Sequence, residues 1–324
     1  MQGPQIVSHG DFDGIVSAAL ASLWTRHTFV FFTGPESLRR NTFGPKDVVC
    51  DLPHPSYPVR AWFDHHAGNI EEARQMAWSV GEGAAYEAPS AARVIYDHLK
   101  SSVNFPPFLA ETVAATDRVD SMDYATIEDW LAETPENILN STIFLPNEDL
   151  QQARKYLLRL VTMVQTKPLS EVAEYQEVRE RFAKNQEHGK RAAETIGRLG
   201  ELVGNGQICV LDFSEMKVAP RFSKNLAYTL FPKAGAVLSI QPVVMGGRKT
   251  NDLRLSLSLN PFLKEQLRLH DCAAILDQLE LGGGHPTAAG GKITASSKDE
   301  RLRIKAKVVE DIVRLWGKQT AAAK

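Results

Sequence analysis

Aspartate and histidine residues at three places give this sequence its first chemical signal. Two of the places are the runs from Ser8 to Gly14 and from Asp64 to His66, and the third is Asp51. Carboxylate oxygens are the ligands that Mn²⁺ and Mg²⁺ prefer, and Mn²⁺ also accepts imidazole. The pattern therefore predicts a divalent-metal site. Its candidate residues are His9, Asp11, Asp13, Asp51, Asp64, His65 and His66.

Each of these places follows an apolar run typical of a strand. The runs are 4–7, 47–50 and 60–63, and the first leads through a glycine-bearing turn into an apolar helix at 15–24. A strand, a turn and a buried helix in this order are typical of an α/β layer fold. Ligands of open parallel sheets collect beyond the carboxyl ends of the strands, so we expect the Asp and His side chains to converge there.

A further carboxylate is expected near residue 117. A helix is predicted from residue 106 to 116, and the segment 116–121 that follows it is interpreted as a polar turn. Asp117 and Asp120 both stand in this turn, so either could supply the next ligand. Upstream, Ser90 predicts the N-terminal cap of another helix.

The second half of the chain changes from helical patterns, at 147–199, to strands. Strands are predicted at 207–213, 236–245 and 253–259, the last two joined by a loop at 246–252. The run from Gly282 to His285 then stands between an apolar helix and a strand-like segment. Glycines let backbone N–H groups approach an anion, and a neighbouring histidine can donate to phosphate.

In this order the motifs resemble those of the DHH family of phosphoesterases that carry the first type of DHH-associated C-terminal domain. The family's signatures match D-x-D-G at 11–14, a strand-end Asp51, D-H-H at 64–66, the region of Asp117 and G-G-G-H at 282–285. Within the family the chain is most similar to short-oligonucleotide ribonucleases related to RecJ exonucleases. The resemblance implies a parallel-sheet metal-binding domain at 1–165 and a helical linker at 166–200. It also implies a smaller α/β substrate-binding domain at 201–318.

The resemblance also implies two metal ions, usually Mn²⁺, with Mg²⁺ as the alternative. The ligands it implies are Asp11, Asp13, Asp51, His65 and Asp117, with Asp51 bridging the ions. Two ions roughly 3.5–4 Å apart can activate a shared water for attack on phosphorus. Many members place a histidine four residues before the first carboxylate, whereas His9 stands two before Asp11. His9 is assigned to the first metal, and the alternatives are that it orients another ligand or does neither.

Substrate contacts are implied in both domains. His66 would face the substrate phosphate or aid the leaving group, and Asp64 would fix an imidazole, so both are catalytic candidates. Gly282, Gly283, Gly284 and His285 would hold the nucleotide or terminal phosphate end of the substrate. Further candidate phosphate contacts are Arg118, Arg221, Arg248 and Arg254, each of which could instead be an ordinary surface charge.

Charge and composition limit the partners. The 324 residues include 37 basic and 39 acidic ones, so the formal net charge of −2 gives no field for capturing long duplex nucleic acid. A short oligonucleotide or dinucleotide is expected instead, and a homodimer is left open. Three scattered cysteines indicate reduced thiols, and neither a signal peptide nor a membrane span is recognised, so a cytoplasmic location without membrane partners is expected.

These observations predict a Mn²⁺-dependent phosphodiesterase that releases nucleoside monophosphates from very short oligonucleotides or opens a small cyclic dinucleotide. The alternative enzyme is a polyphosphate or nucleotide phosphohydrolase, which could use the same metals. The alternative without catalysis is a nucleotide- or RNA-binding protein on the same scaffold.

Overall fold

The computed structural model describes residues 4–38, 43–55 and 57–322, apart from the side chains of Glu36 and Ala322. Two compact units make up the chain, Met1–Asn185 and Gln186–Lys324. The first contains a parallel sheet and the second a mixed sheet with helices, which confirms the predicted α/β class. The boundary between the units lies inside the segment 166–200 predicted as a linker, and the predicted domain limits stay a prediction.

The strands of the first unit form a five-stranded sheet in the order β2-β1-β3-β4-β5, and every neighbouring pair in it is parallel. Its strands are β1 Ile6–Ser8, β2 Val30–Phe32, β3 Val48–Cys50, β4 Ala61–Asp64 and β5 Ala84–Ala85. Its helices are α1 Phe12–Thr25, α2 Pro35–Leu38, α3 Ala67–Gln75, α4 Ala91–Leu99, α5 Phe108–Asp120, α6 Ile127–Leu131, α7 Pro135–Thr142, α8 Leu150–Thr166 and α9 Leu169–Val172. Helix α10, Gln176–Leu199, contains the boundary between the units.

Helix α1 begins directly at the first acidic motif. Asp11 is its N-cap, and the Asp11 carboxylate accepts a hydrogen bond from the Gly14 amide at 2.9 Å. A Cβ on Gly14 would lie 2.1 Å from the carbonyl oxygen of His9, so only glycine allows this close return of the chain. The helix is buried from Phe12 to Ser22. The predicted helix is confirmed, and it starts three residues earlier than expected because Asp11 caps it.

Helix α5 differs from its prediction. It continues to Asp120, so Asp117 and Asp120 lie in its last turn rather than in a polar turn after it. The segment contains no glycine or proline that would stop the helix earlier. The helix ends where Met122 adopts a left-handed backbone with φ 49°. Ser90, by contrast, is the N-cap of α4 as predicted.

The second unit is built on a six-stranded sheet in the order β10-β11-β9-β8-β7-β6. Its strands are β6 Gly200–Val203, β7 Ile208–Asp212, β8 Ala236–Met245, β9 Arg248–Leu259, β10 Gly282–His285 and β11 Ala288–Ile293. Its helices are α11 Ala227–Leu230, α12 Cys272–Gln278 and α13 Lys298–Ala322, with 3₁₀ turns at Lys224–Leu226 and Pro261–Leu263. No helix in the described ranges has the length and apolar character that crossing a bilayer requires.

The hairpin predicted for 236–245 and 253–259 is confirmed, but its connection is shorter than the predicted 246–252. Gly246 and Gly247, with φ 54° and 76°, form a two-residue turn, and Met245 pairs directly with Arg248. Two consecutive positive φ values are typical of the tight hairpin turn that favours glycine. The apolar face of β9 is nevertheless as expected, because Leu253, Leu255 and Leu257 are buried in the core of this unit.

The run Gly282 to His285 is a strand at the edge of this sheet and not a loop. It pairs antiparallel with β11, so that Gly282 lies opposite Gly291 and His285 opposite Ala288. The strand is exposed along its whole length. The glycines therefore serve first to bring two backbones together, which the sequence pattern did not predict.

Gly282→Ala is expected to lower the melting temperature strongly, whereas Gly283→Ala in the same strand should not. A Cβ at position 282 would lie 2.2 Å from the Gly290 carbonyl oxygen, and its φ of 158° disfavours side chains. At position 283 no heavy atom of the described residues lies within 4 Å of such a Cβ. We expect a loss of about 2 kcal/mol or more for the first variant, read from denaturant unfolding. Equal stability of the two variants would contradict this packing.

Candidate metal centre

The Asp and His residues of the first unit meet at the carboxyl ends of three neighbouring strands. Asp11 follows β1, Asp51 follows β3, and Asp64 closes β4, before His65 and His66. These strands are adjacent in the sheet. Three groups of potential metal-ligating atoms form there, namely His9 with Asp11 and Asp51, Asp51 with His65 and His66, and Asp13 with His65 and Asp120.

His65 stands at the centre of the cluster with a free lone pair. Its Nδ1–H donates to the carbonyl oxygen of Ala88 at 3.0 Å, which leaves Nε2 unprotonated in the neutral ring. Nε2 lies 3.4 Å from an Asp120 oxygen and 3.7 Å from oxygens of Asp13 and Asp51. It is buried and has no hydrogen-bond partner within the described residues. A divalent cation placed between Nε2 and these oxygens would interact favourably with all of them.

Asp51 is held in an unusual backbone conformation. Its φ is 55°, in the left-handed region that non-glycine residues rarely adopt and that clusters at functional sites. The side chain is 3% exposed, and Oδ2 lacks a hydrogen-bond partner in the described part of the chain. One oxygen faces His65 and the other faces His9, each at 3.7 Å. Burial, followed by the charge of Asp13, raises the pKa of Asp51 well above its usual range.

Asp13 links the cluster to helix α4. Its two oxygens accept hydrogen bonds from the amides of Ala91 and Ala92 at 2.7 and 2.8 Å, at the N-terminus of that helix. Oδ1 also accepts from Ser17 at 3.2 Å. Burial is the largest cause that raises the pKa of Asp13 to about 7, and the charge of Asp120 adds to it.

His9 and Asp11 form the more exposed corner of the cluster. His9 Nδ1 lies 2.5 Å from Asp11 Oδ2, and the two side chains are 38% and 41% exposed. The hydrogen bond to Asp11, followed by the nearby carboxylate of Asp51, raises the pKa of His9 to about 10. For Asp11, burial raises the pKa, but the hydrogen bond from His9 and its charge outweigh this and leave it lowered. His9 thus faces both carboxylates despite its short spacing.

Asp64 organises the turn that follows β4. Its Oδ1 accepts from the His65 amide at 2.8 Å and from His66 Nδ1 at 2.8 Å, and Oδ2 accepts from Asn69 at 2.6 Å. Asp64 is fully buried, whereas the His66 side chain is 53% exposed. The hydrogen bond to Asp64 raises the pKa of His66. The turn therefore brings both histidines to one site, with Asp64 fixing the imidazole of His66.

Asp117 does not reach the cluster, in contrast to the ligand set implied by the resemblance. Its carboxylate accepts from Ser90 Oγ at 2.6 Å and from Arg93 Nη2 at 2.6 Å. Asp120, the alternative, faces His65 instead. The two residues are three apart on one helix, so they share a side of α5, but Asp120 lies one turn closer to the cluster. The structure thus favours the alternative.

Arg118 is engaged within its own unit rather than turned towards the cluster. Its guanidinium bonds to Asp129, lies 3.3 Å from Glu136 and stacks on the Tyr124 ring at 4.8 Å. These contacts join α5 to α6 and α7. Arg118 as a phosphate contact stays a prediction, and three of its five N–H donors already bond within this unit.

The candidate substrate residues of the second unit lie in different places. Arg254 is exposed on β9, and His285 on β10 bonds through Nδ1 to Thr287 Oγ1 at 2.9 Å. The backbone carbonyl of Arg221 accepts from His188 at 2.7 Å. Arg248 stands at the hairpin turn.

A divalent cation fits this cluster. Two of its buried ligand atoms, Asp51 Oδ2 and His65 Nε2, have no partner among the described residues. The donor set is carboxylate and imidazole, which suits Mn²⁺ and Mg²⁺ better than softer ions. The charges of Asp11 and Asp51 converge on the same point, and in the described part of the chain their ion pairs are with histidines alone.

The metal-free protein is expected to lose stability as the pH rises from about 4 to 7. The pKa of Asp13 is raised to about 7 and that of Asp120 to about 6, chiefly by burial, from an ordinary value of 3.8. In this window the folded state binds more protons than the unfolded state, so the free energy of unfolding falls with pH. In EDTA we expect a higher melting temperature at pH 5 than at pH 7.5.

Added Mn²⁺ should reverse that difference, because metal binding requires deprotonated ligands. Asp120→Asn should show a smaller pH dependence than the parent protein. A metal-free protein that melts higher at pH 7.5 than at pH 5 would contradict the proposed electrostatics.

No protein-family model matches the chain, and no curated protein does either. Among solved structures, the pGpG-specific phosphodiesterase PggH from Vibrio cholerae matches with a TM-score of 0.70. The match covers 95% of this chain and 99% of that of PggH, at 20% sequence identity. This chain has the PggH fold. The agreement extends over both units.

Other proteins also share the PggH fold. RecJ from Thermus thermophilus, solved in complex with Mn²⁺, matches with a TM-score of 0.50 at 13% identity, over 96% of this chain and 52% of RecJ. CDC45 from Entamoeba histolytica matches with a TM-score of 0.51 at 10% identity, over 98% and 95% of the two chains. Because a fold can host several functions, the side chains at the strand ends have to decide the function here.

Proposed function

We propose that this protein is a metal-dependent phosphodiesterase that hydrolyses short oligonucleotides or small dinucleotides to nucleoside monophosphates. The observation that carries the proposal is Nε2 of His65, which is buried without a partner among the described residues and faces three carboxylates. The fold supports the same class, since the similar PggH is a pGpG-specific phosphodiesterase. A small cyclic dinucleotide belongs to the same substrate class.

Two ions, Mn²⁺ or Mg²⁺, are proposed for the cluster. One would be held by Asp13, His65 and Asp120, and the other by His9, Asp11 and Asp51. The two oxygens of Asp51 face His65 and His9, which suits a bridging carboxylate. When bound, such ions supply a water activated as hydroxide and stabilise negative charge on the phosphoryl oxygens.

The side chains of the chain itself would orient the ligands and handle protons. Ala88 fixes the tautomer of His65, and the α4 amides fix Asp13. His66 is exposed at the edge of the cluster, and its hydrogen bond to Asp64 raises its pKa. We assign to His66 the donation of a proton to the leaving oxygen, with Asp64 holding its ring. A raised pKa favours the protonated imidazole, which is the form that this role requires.

A substrate panel tests the proposal. Purified protein with Mn²⁺ is incubated with a dinucleotide, a longer single strand, a cyclic dinucleotide, 3′-phosphoadenosine 5′-phosphate and polyphosphate, and nucleotide products are separated by chromatography. We expect the dinucleotide to be consumed fastest, because the near-neutral net charge gives little long-range attraction for longer strands. Addition of EDTA should stop the reaction.

Two results would count against the proposal. Hydrolysis of none of these compounds would exclude a phosphodiesterase, and equal hydrolysis by His65→Ala would show that the reaction occurs elsewhere. Hydrolysis of polyphosphate alone would favour the phosphohydrolase instead.

A further inference from the structure

Asn69 stands at the start of helix α3, close to the two histidines that follow β4. It is the third residue of that helix, and the side chain of the N-cap, His66, makes no capping hydrogen bond within the described residues. The Asn69 side chain instead reaches back, and its Nδ2 donates to Asp64 Oδ2 at 2.6 Å. Ala73 is the one buried residue of this helix, so apolar packing alone holds α3 weakly. The bond from Asn69 therefore ties the start of α3 to the end of β4.

The hydrogen bonds of Asp64 are divided unequally between its two oxygens. Oδ1 accepts from the backbone amides of His65 and His66, at 2.8 and 3.3 Å, and from His66 Nδ1 at 2.8 Å. Among the described residues, Oδ2 has Asn69 as its one hydrogen-bond partner. Because a carboxylate can turn about its Cβ–Cγ bond, this single contact at Oδ2 sets the plane of the group. Asn69 thus determines the direction in which Oδ1 meets the His66 ring.

Burial makes this single bond important. Asp64 is fully buried, and within the described part of the chain its ion pair is with His66 alone. An amide supplies a donor without a positive charge, so Asn69 satisfies Oδ2 and leaves the negative charge of Asp64 to the imidazole. Removal of the donor would leave a buried carboxylate oxygen unpaired, which is costly unless the group moves. Such a movement would carry the His66 ring with it.

The two histidine rings differ in how they are held. The ring of His65 is mostly buried, and its Nδ1 bonds to the Ala88 carbonyl. The ring of His66 is more exposed, and within the described residues Asp64 is its one hydrogen-bond partner. The rings are in contact, with their centroids 4.2 Å apart. A shift of Asp64 would therefore change the direction of His66, while His65 keeps a support of its own.

We propose that Asn69 is a positioning residue, which holds Asp64 so that the protonated ring of His66 points at the leaving oxygen. This inference rests on the proposed phosphodiesterase function. In that reaction a P–O bond forms with hydroxide, and the P–O bond to the leaving sugar oxygen breaks. The leaving oxygen keeps the bonding electron pair and takes a proton from His66, which regains one from water. Asn69 thus acts on kcat rather than on the binding of substrate or metal.

The leaving group provides the test. Steady-state hydrolysis in Mn²⁺ is compared for a dinucleotide and for the 4-nitrophenyl ester of thymidine 5′-monophosphate, in the parent protein, Asn69→Ala and Gln75→Ala. The nitrophenolate leaves without a proton, so the dinucleotide alone needs the proton from His66. We expect Asn69→Ala to lower kcat for the dinucleotide by about 10- to 100-fold, with KM and bound Mn²⁺ unchanged. For the ester, kcat should stay close to that of the parent protein.

Gln75→Ala is the matched control. Gln75 lies on the same helix, and its amide also donates to a carboxylate, that of Glu71 at 3.0 Å, but on the exposed side of α3. This variant should retain full activity on both substrates. A double variant, His66→Ala with Asn69→Ala, should be no slower than His66→Ala alone, because both changes remove the same proton donation. Additive losses in the double variant would overturn the assignment.

Equal losses on both substrates would also overturn it, since they would indicate damage to the metal centre or the fold, and so would an unchanged kcat for the dinucleotide. If the parent protein hydrolyses neither substrate, the proposed function fails, and hydrogen exchange in EDTA then decides whether Asn69 holds Asp64. Exchange of the His65 and His66 amides, which bond to Asp64, should be about tenfold faster in Asn69→Ala than in the parent protein or Gln75→Ala. Equal exchange rates would show that Asn69 does not hold Asp64.

Discussion

His65→Ala is expected to lower kcat/KM for a dinucleotide by about 10³-fold or more. The reason is that His65 Nε2 is the one nitrogen that faces Asp13, Asp51 and Asp120 together. Its removal leaves these carboxylates facing one another without the ligand that completes the site. Asp51→Asn should have an effect of similar size, because Asp51 belongs to two of the three ligand groups.

The measurement is steady-state hydrolysis in Mn²⁺, together with metal binding followed by calorimetry. His98→Ala is the matched control, since His98 is an exposed histidine of the same unit that bonds to the Glu82 carbonyl, outside the cluster. The control should retain both activity and metal binding. Activity of His65→Ala within about tenfold of the parent, with normal metal content, would remove His65 from the centre.

Asp120→Asn and Asp117→Asn should differ sharply in their effects, although the residues lie one helical turn apart. Asp120→Asn should lose a metal ion and reduce hydrolysis by about 10²-fold or more, because its carboxylate is the third group around His65. Asp117→Asn should keep both ions. It should instead lower the free energy of unfolding by about 1–3 kcal/mol, because Arg93 and Ser90 lose their charged partner.

Metal content after gel filtration and denaturant unfolding of the two variants separate these outcomes. The opposite result, with metal lost from Asp117→Asn and retained by Asp120→Asn, would return the ligand role to Asp117. Equal loss of metal in both would indicate that Asp117 acts on the centre through α4, since Ser90 caps the helix whose amides hold Asp13.

The strand-end residues could be predicted because their positions follow from simple patterns. Asp11, Asp51 and His65 each come directly after an apolar run, and parallel strands bring such ends together. The choice between Asp117 and Asp120 could not be made this way. The choice depends on where α5 ends and on which of its turns faces the sheet. No glycine or proline stands in the final turn before Met122, so the sequence does not mark the end of the helix.

The backbone conformation of the glycine runs could not be predicted from the sequence either. Gly246-Gly247 and Gly282 to Gly284 are both glycine runs, yet the first is a tight turn and the second an extended edge strand. Glycine permits both conformations, so the local sequence does not distinguish them.

Asp13 has a double contact that constrains how this sequence can diverge. The carboxylate that faces His65 is also the acceptor for the first two amides of α4. A descendant that abandons metal chemistry can change the exposed His9 at little cost to its fold. It cannot replace Asp13 without rebuilding the start of a core helix. An acidic residue would therefore be retained at this position after the activity is lost. Its presence alone would be a poor guide to function.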